Sequence, residues 1–474
     1  MPPLKRPDKE QTLCVPSSEA LLAADVDVLV VGAGPAGVGA ALGAARAGGK
    51  VVLVERYGFV GGAATVGLVM PLMSAHTQES KFRRPGFSNL FPTDHGYGIR
   101  VIAGVLVELV ERMVKNGGAV LPSIETGYVV PFDPEILKIT VMEMLDEADV
   151  GVLLHSVAFA FSAGEQSSTV FFHTKSGPVA IRAKCVIDST GDGDIAAMAG
   201  APYEIGRDHD GLAQPMTLYF RMVGFERPAF AEYVRMHPEQ WYGVFGLWNL
   251  IEKASDEGKL RLPREDLLMF STPHEQEVSV NSTRVIGKNA IDVFDLSSAE
   301  WESRFQAHNV SEFLKMYVPG FSNSYMVQTG LQIGIREARR IIGEYILTGE
   351  DVIEVRKFPD VIARCSYPID IHNPKGKGTR IERLPAGEAY DIPLRCLFPK
   401  NTRRLLTAGR CISGTHEAHS SYRIMPAAMA TGQAAGVCAS LAAKTSSDVR
   451  EVNYKDVQKE LLRQKANLGE NSKI

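Results

Sequence analysis

The first clear pattern in the chain is a short unbroken apolar run, residues 28–31, that ends abruptly in glycines. The stretch "GAGPAGVGAALGAARAGG" follows, with small residues at almost every position over 35–47, and a second apolar run covers 51–54. A short apolar run bounded by glycine reads as a buried strand, and the small-residue stretch as a helix packed very close to it. Residues 25–56 are therefore expected to form strand, helix, strand. Further on, "IRVIAGVLVELVERMVKNGG" predicts a helix stopped by Gly-Gly. "PFDPEILKITVMEMLDEA" predicts another, with Asp133 as N-cap and Pro134 in its first position. "GVLLHSVAFAF" is strand-like, "STVFFHTKSGPVAIRAK" alternates on each side of Ser-Gly as a hairpin does, and "CVIDST" predicts a further strand.

From about residue 201 to 330 the pattern changes. Aromatic and charged residues rise, as in "MTLYFRMVGFERPAFAEYVRMHPEQWYGVFGLWNL". After that, "LLTAGRCISG" predicts strand plus turn, and "AAMATGQAAGVCASLAA" a second helix of small residues. The expected organisation is a polar leader over 1–24, a discontinuous nucleotide domain over 25–200 and 331–445, a cap or substrate domain over 201–330, and a terminal amphipathic helix with a tail over 446–474. The fold class is α/β, a Rossmann-type domain with a β-meander insertion and an α+β cap.

Composition narrows the function classes. The chain has 474 residues and a net charge of −4, so it carries no basic field to recruit nucleic acid. Its short basic pieces, "KFRRPG" and "NTRRL", read as solvated loops. No two of its six cysteines are separated by two residues, which argues against a zinc ribbon, an iron–sulfur cluster or a dithiol motif. Free thiols fit a reducing cytoplasm. The N-terminus shows no apolar signal core, and no apolar run is long enough to span a bilayer. The expected location is cytoplasmic, with no membrane partner.

The chemistry begins at Gly32-x-Gly34-x-x-Gly37. These glycines allow the turn, the approach of backbone to a pyrophosphate, and tight helix–strand packing, while the helix opening at Pro35-Ala36 offers free N–H groups to phosphate. Glu55 ends the second strand, where an acid hydrogen-bonds a ribose, and Arg56 follows it. Gly61-Gly62 in "ERYGFVGGAAT", with Ala63 and Thr65, suits the extended body of FAD better than a nicotinamide dinucleotide. In "CVIDSTGDGDIAAMAGAPY", Asp192 and Asp194 suggest a capped turn rather than a metal site, because no continuous calcium-type loop is present.

Taken together, "VVGAGPAGVGAA", "ERYGFVGGAAT", "PFDPEILK", "VIDSTGDGDIAAMAGAPY", "GIREARRIIGEYILTGEDV", "YPIDIH" and "LLTAGRCISGTHEAHSSYRIMPAAMATGQAAG" resemble the FAD-dependent oxidoreductases related to fumarate-reductase and thiazole-synthase-like flavoproteins. The resemblance spans residues 25–444. It implies that Thr190, Gly191 and Asp192 form a second FAD-contacting turn. It also implies that Gly409, Arg410, Met425 and Ala427 lie near the flavin. Some relatives carry cysteine-ligated iron–sulfur clusters, and the spacing for one is missing here.

For the reacting groups, His372 and His419 are the acid/base candidates, with Arg423 as a positive charge near the flavin. Arg284, Arg336 and Tyr422 are the substrate-binding candidates, since an arginine fork holds a carboxylate or a developing oxyanion. His76 is a position where flavin could be attached, though nothing in the sequence requires it. The function expected is hydride transfer between flavin N5 and a small organic substrate bearing a carboxylate or hydroxyl, with oxygen, quinone or a redox protein as electron acceptor. A flavin monooxygenase fed by NAD(P)H is one alternative. A flavin-binding assembly or RNA-associated protein is another, which the charge balance disfavours. A homo-oligomer is compatible with the sequence.

Overall fold

The computed structural model describes residues 3–8, 11–15, 18–78, 91, 98–121 and 129–469. "KFRRPG" lies outside them. In the first part of the chain come β1 (Leu21–Val31), α1 (Pro35–Arg46), β2 (Val51–Val54), α2 (Val105–Lys115) and α3 (Pro134–Glu147). Next are β3 (Gly151–Leu153), β4 (Val157–Ser162), β5 (Ser168–Thr174), β6 (Gly177–Asp188) and α4 (Asp194–Met198). The seven-stranded sheet runs β3-β2-β1-β6-β5-β4, and β19 (Leu405–Thr407) pairs with the end of β6. Pairs β1–β2, β1–β6, β2–β3 and β6–β19 are parallel, whereas β4, β5 and β6 form an antiparallel meander. This is the expected α/β class, with the expected meander.

Two readings change at the level of elements. β1 starts at Leu21, inside the stretch read as leader, because Leu21 and Leu22 pair with Val179 and Ala180. The hairpin arm and "CVIDST" are one strand of 12 residues, not two. Its first half pairs with β5 and its second half with β19, so an element that looks interrupted in sequence is continuous in space. Asp133 caps α3 as expected, accepting from the Glu135 amide.

The middle of the chain gives β7 (Tyr203–Ile205), β8 (Phe220–Val223), α5 (Arg227–Met236), β9 (Trp241–Tyr242), β10 (Phe245–Gly246), α6 (Trp248–Asp256), β11 (Leu267–Ser271), β12 (Glu277–Val280), α7 (Val293–Tyr317) and β13 (Tyr325–Thr329). Six of these strands form an antiparallel sheet, β13-β8-β12-β11-β10-β9. It has its own core, in which Phe225, Phe230, Trp241 and Phe321 pack ring against ring. The chain leaves and re-enters this unit through a two-strand ribbon, β7 against β14 (Arg339–Ile341). Ile333 and Ala338 still belong to the second core.

The last part holds α8 (Gly349–Ile353), β15 (Val361–Cys365), β16 (Ile369–His372), β17 (Thr379–Glu382), β18 (Tyr390–Pro393), α9 (His416–Tyr422), α10 (Met425–Thr445) and α11 (Tyr454–Arg463). Helix α10 is almost wholly buried and lies directly on α1. The contact is backbone on backbone: a Cβ on Gly432 would sit 1.9 Å from the Ala36 carbonyl oxygen. That is why both helices are written in glycine and alanine. Among the described residues no single helix is long and apolar enough to cross a membrane. Five of the six cysteines are buried as free thiols, and Cys14 is exposed.

Candidate functional site

The parallel register brings four strand ends level. Val31 pairs with Val54 and with Asp188, and Asp188 pairs with Thr407. The loops that follow therefore meet at the carboxyl edge of the sheet, where open α/β sheets bind ligands. Gly32 turns the first loop with φ +98°, and a Cβ there would fall 2.5 Å from the Ser189 carbonyl oxygen. Ser189 Oγ donates to the Val31 and Gly32 carbonyls, which fastens this loop to the next. Gly37 and Gly62 are crowded too, by Gly32 and by the Gly34 backbone. Thr65 donates to the Val60 carbonyl and closes the Gly62–Ala64 turn that contains Ala63.

Glu55 is buried, and its carboxylate accepts the Ala33 amide at 2.7 Å and the Tyr57 amide at 3.1 Å. It stands at the end of β2 as predicted. Arg56 turns the other way, donating to Gln332 at 2.6 Å beside the return from the second unit. In "STGDGD" the structure revises the capping idea. The N-cap of α4 is Gly193, with no side-chain cap. Thr190 Oγ1 accepts the Asp194 amide, and the fully buried Asp188 accepts from Thr190 and the Ala196 amide. Burial, opposed by those hydrogen bonds, pushes the Asp188 carboxyl up to about 6. Asp188 is thus the residue that shapes the turn, and sequence reasoning missed it.

Asp192 and Asp194 instead meet arginines. Asp192 accepts from Arg410 at 2.7 Å, next to Gly191, and Asp194 from Arg339 at 2.8 Å. The first pair ties the Thr190–Asp192 turn to the Gly409–Arg410 turn. Arg410 Nη1 is buried and has no hydrogen-bond partner among the described residues. Gly409 approaches Ala36 and Ala428, so the N-terminal ends of α1 and α10 adjoin. Neither helix has a side-chain cap, although each opens with proline at its first or second position. Met425 and Ala427 lie in the buried first turn of α10. Uncapped helix ends, an unpartnered buried guanidinium nitrogen and glycine-lined loops fit a pyrophosphate with its sugar.

Five more residues gather from β16, the α9–α10 junction and the second unit. His372 Nδ1 lies 3.2 Å from Arg284 Nη2 and 3.3 Å from Thr379 Oγ1. Its Nε2 is 3.7 Å from Asp370, which accepts from Tyr367 and, at 3.4 Å, from Arg423. Arg336 donates through Nη1 to the Pro215 carbonyl and Thr217. Burial, then Arg423, brings Arg336 down to about 9; burial, then Arg264, brings Arg284 down to about 10. Tyr219 belongs to this group as well: burial raises it to about 12, against the pull of Arg336, Arg423 and Arg264. Tyr219, Arg264 and Asp370 were not singled out by sequence. Tyr219 sits in a stretch marked only by its rise in aromatic and charged residues, and Arg264 in a charged stretch that carries no motif.

Two predicted residues, His419 and Tyr422, fall elsewhere, as does His76. His419 is fully buried, both ring nitrogens lack partners among the described residues, and its ring meets Tyr422 edge-on at 5.5 Å. Tyr422 donates to the Ile412 carbonyl and fills the space beside Gly414, so it holds a loop and leaves the substrate set. His76 is buried near Arg100, and burial takes it down to about 4. Behind the cluster, Glu337 accepts from Arg340, His416 and the Gln214 amide.

His372 and His419 are both held neutral, well below their ordinary 6.5, by burial and then by nearby arginines. The folded pKa is depressed, so the unfolded chain binds more protons below pH 6.5. Stability present above 6.5 is therefore lost as pH falls, by about 1.4 kcal/mol per pH unit for each histidine. The urea midpoint is expected to drop between pH 7 and 5, with a shallower slope in His419→Phe. An unchanged slope in that variant would refute the assignment.

Parallel strands with glycine loops and an acid-ended second strand at their carboxyl edge define a dinucleotide-binding domain. The model of the family described as FAD dependent oxidoreductase matches residues 27–461, and the chain belongs to that family. A stretch of 54 residues is 56% identical to urocanate reductase of Eggerthella lenta, covering 11% of this chain and 9% of that protein. Among solved structures, p-nitrophenol 4-monooxygenase of Pseudomonas putida is similar at 11% identity and a TM-score of 0.46, over 93% of this chain and 85% of that one. A geranylgeranyl bacteriochlorophyll reductase-like protein of Thermoplasma acidophilum is similar at 15% identity and a TM-score of 0.43, over 94% and 84%.

Proposed function

We propose that this FAD-dependent oxidoreductase acts on a small organic anion, held through a carboxylate at the cluster of Tyr219, Arg336, His372 and Arg423. The observation that carries this is the charge imbalance. Four guanidinium groups, Arg264, Arg284, Arg336 and Arg423, surround His372. Asp266 answers Arg264, and Asp370 answers Arg423. Arg284 and Arg336 have no carboxylate within ion-pair distance among the described residues. Uncompensated buried cations are costly, and a bound anion removes the cost.

Bound FAD supplies a two-electron centre that takes or gives a hydride. The residues that would hold it are Gly32, Gly34, Glu55, Thr190, Gly191 and Arg410, with the first turns of α1 and α10. Arg336 and Arg423 would orient the substrate. Arg284, pinned by the Gly376 carbonyl at 2.8 Å, fixes the His372 ring in place. Anaerobic titration of the FAD-loaded protein with polyols, hydroxy acids, amines and enoates tests the reading. Carboxylate-bearing compounds are expected to change the flavin absorbance. A protein that takes up no FAD, or one that responds to polyols or amines alone, would refute it.

A further inference from the structure

We infer that Asn281, with Ser279 beside it on the second unit's sheet, forms a neutral polar subsite, and that the substrate carries a hydroxyl or amide group about 7 Å from its carboxylate. This rests on the anionic-substrate reading above and adds the far end of the molecule to it.

The register of the sheet places the subsite. Strands β8 and β12 pair Phe220 with Val280 and Arg221 with Ser279. Leu218, Phe220, Met222, Val278 and Val280 all belong to the second core. Side chains alternate along a strand, so Thr217, Tyr219, Arg221, Ser279 and Asn281 occupy the other face. Continuing the register by one residue sets Asn281 opposite Tyr219. Arg336 donates to the Thr217 hydroxyl at 2.6 Å, which ties this face to the anion cluster. Arg264 Nη1 reaches the Asn281 carbonyl at 3.4 Å, and Arg284, three residues after Asn281, lies 3.2 Å from His372. Asn281 therefore stands two residues of strand from the point where Arg336 is anchored, about 7 Å.

The side chains themselves lack partners. Ser279 is 0% exposed and Asn281 7% exposed. Ser279 Oγ and Asn281 Oδ1 are sealed from solvent and have no hydrogen-bond partner among the described residues. The next two residues behave differently. Ser282 Oγ donates to the Leu268 carbonyl and accepts the Leu268 amide, and Thr283 Oγ1 does the same with Leu218. The strand thus satisfies its hydroxyls where the fold uses them. Buried polar atoms nearly always pair, and two exceptions side by side, on the face that Arg336 touches, mark where a ligand's polar atom fits.

The charges nearby define its chemistry. Arg264 meets Asp266 at 2.8 Å, and Arg221 meets Glu277 at 2.6 and 2.8 Å. These guanidinium groups are already compensated, unlike Arg284 and Arg336. Asn281 and Ser279 are neutral, and each offers a donor and an acceptor. A hydroxyl or carboxamide satisfies both functions. An ammonium group there would face Arg264, and a second carboxylate would meet only guanidinium groups that already hold one. The substrate class is a monocarboxylate with a neutral polar head.

Two measurements test this. The first is spectral titration of the FAD-loaded protein with 5-hydroxypentanoate and with hexanoate, which puts a methyl group in place of the hydroxyl. The wild type is expected to bind the hydroxy acid about 3- to 10-fold more tightly, the net worth of one hydrogen bond. In Asn281→Leu the order is expected to reverse, and Asn281→Ala, which cannot overpack, is expected to lose the preference. An equal preference in wild type and both variants overturns the subsite, as does tighter binding of adipate or 5-aminopentanoate than of the hydroxy acid by the wild type. The second measurement is urea unfolding without ligand. An amide that bonds nothing in the fold can be replaced by leucine with the midpoint unchanged or raised. A clearly lowered midpoint in both Asn281→Leu and Asn281→Ala shows that the amide serves the fold and overturns the inference. Failure of both acids to bind the wild type counts against the anionic-substrate reading, and the urea result still decides whether the amide is free.

Discussion

Arg336→Met is expected to weaken the binding of a carboxylate ligand by roughly 10- to 150-fold while leaving the folding midpoint almost unchanged. The affinity loss follows from removing a charge-assisted donor, worth about 1.5–3 kcal/mol. Stability behaves differently because two effects oppose each other. The variant gives up the bonds to the Pro215 carbonyl and Thr217, and it also relieves repulsion from Arg423 and Arg264. A cation that mainly stabilised the fold would show the reverse, a lowered midpoint with affinity intact. Ligand titration and urea unfolding on the same preparation separate the two. Arg336→Lys should recover only part of the affinity, because an ammonium cannot reproduce the planar fork.

The second large effect is in the packing that carries the cofactor loops. Gly432→Ala places a methyl carbon 1.9 Å from the Ala36 carbonyl oxygen and 2.9 Å from its Cα, on a helix backbone that cannot step aside. Overpacking of this kind costs about 3 kcal/mol or more. Helix α1 begins directly after the Gly32–Gly34 turn, so pushing it away from α10 also opens the nucleotide loop. The variant is expected to show a lower denaturant midpoint and to purify with less FAD than the wild type. Gly376→Ala is the matched control: nothing lies within 4 Å of its added carbon. Equal FAD content and midpoint in Gly432→Ala would contradict the close α1–α10 contact.

Much of the frame was legible in the sequence because its causes are local. Gly32-x-Gly34-x-x-Gly37 and Glu55 are separated by a fixed β-α-β geometry, so their spacing alone places them at one sheet edge. Asp133 and Pro134 announce α3 through the chemistry of a helix start. Strand β6 was harder. Its two halves pair with different neighbours, one adjacent in the chain and one more than 200 residues away, and no local pattern records the second partner. Asp188 hides for a similar reason: within "CVIDST" it looks like a strand end, and only complete burial turns it into the anchor of the turn.

The reacting side was legible in residue type more than in role. Arg284, Arg336, His372 and Arg423 do come together, from segments separated by as many as 139 positions. His419 and Tyr422 lie in the same suggestive stretch as Arg423 and carry suitable groups, yet the short helix α9 turns both into the core. Tyr219 shows the opposite case. Nothing in "MTLYF" marks one aromatic as different from the others, and the arginines that act on it, Arg336, Arg423 and Arg264, come from distant segments.

The most direct measurement is a spectral titration of the FAD-loaded protein with crotonate and with its neutral amide, crotonamide, in the wild type and in Arg336→Met. A saturable shift of the flavin band with crotonate, absent with the amide and lost in the variant, is the predicted result. A band that responds to the amide as strongly as to the acid, or a crotonate response that survives in Arg336→Met, would contradict an anion site built on Arg336.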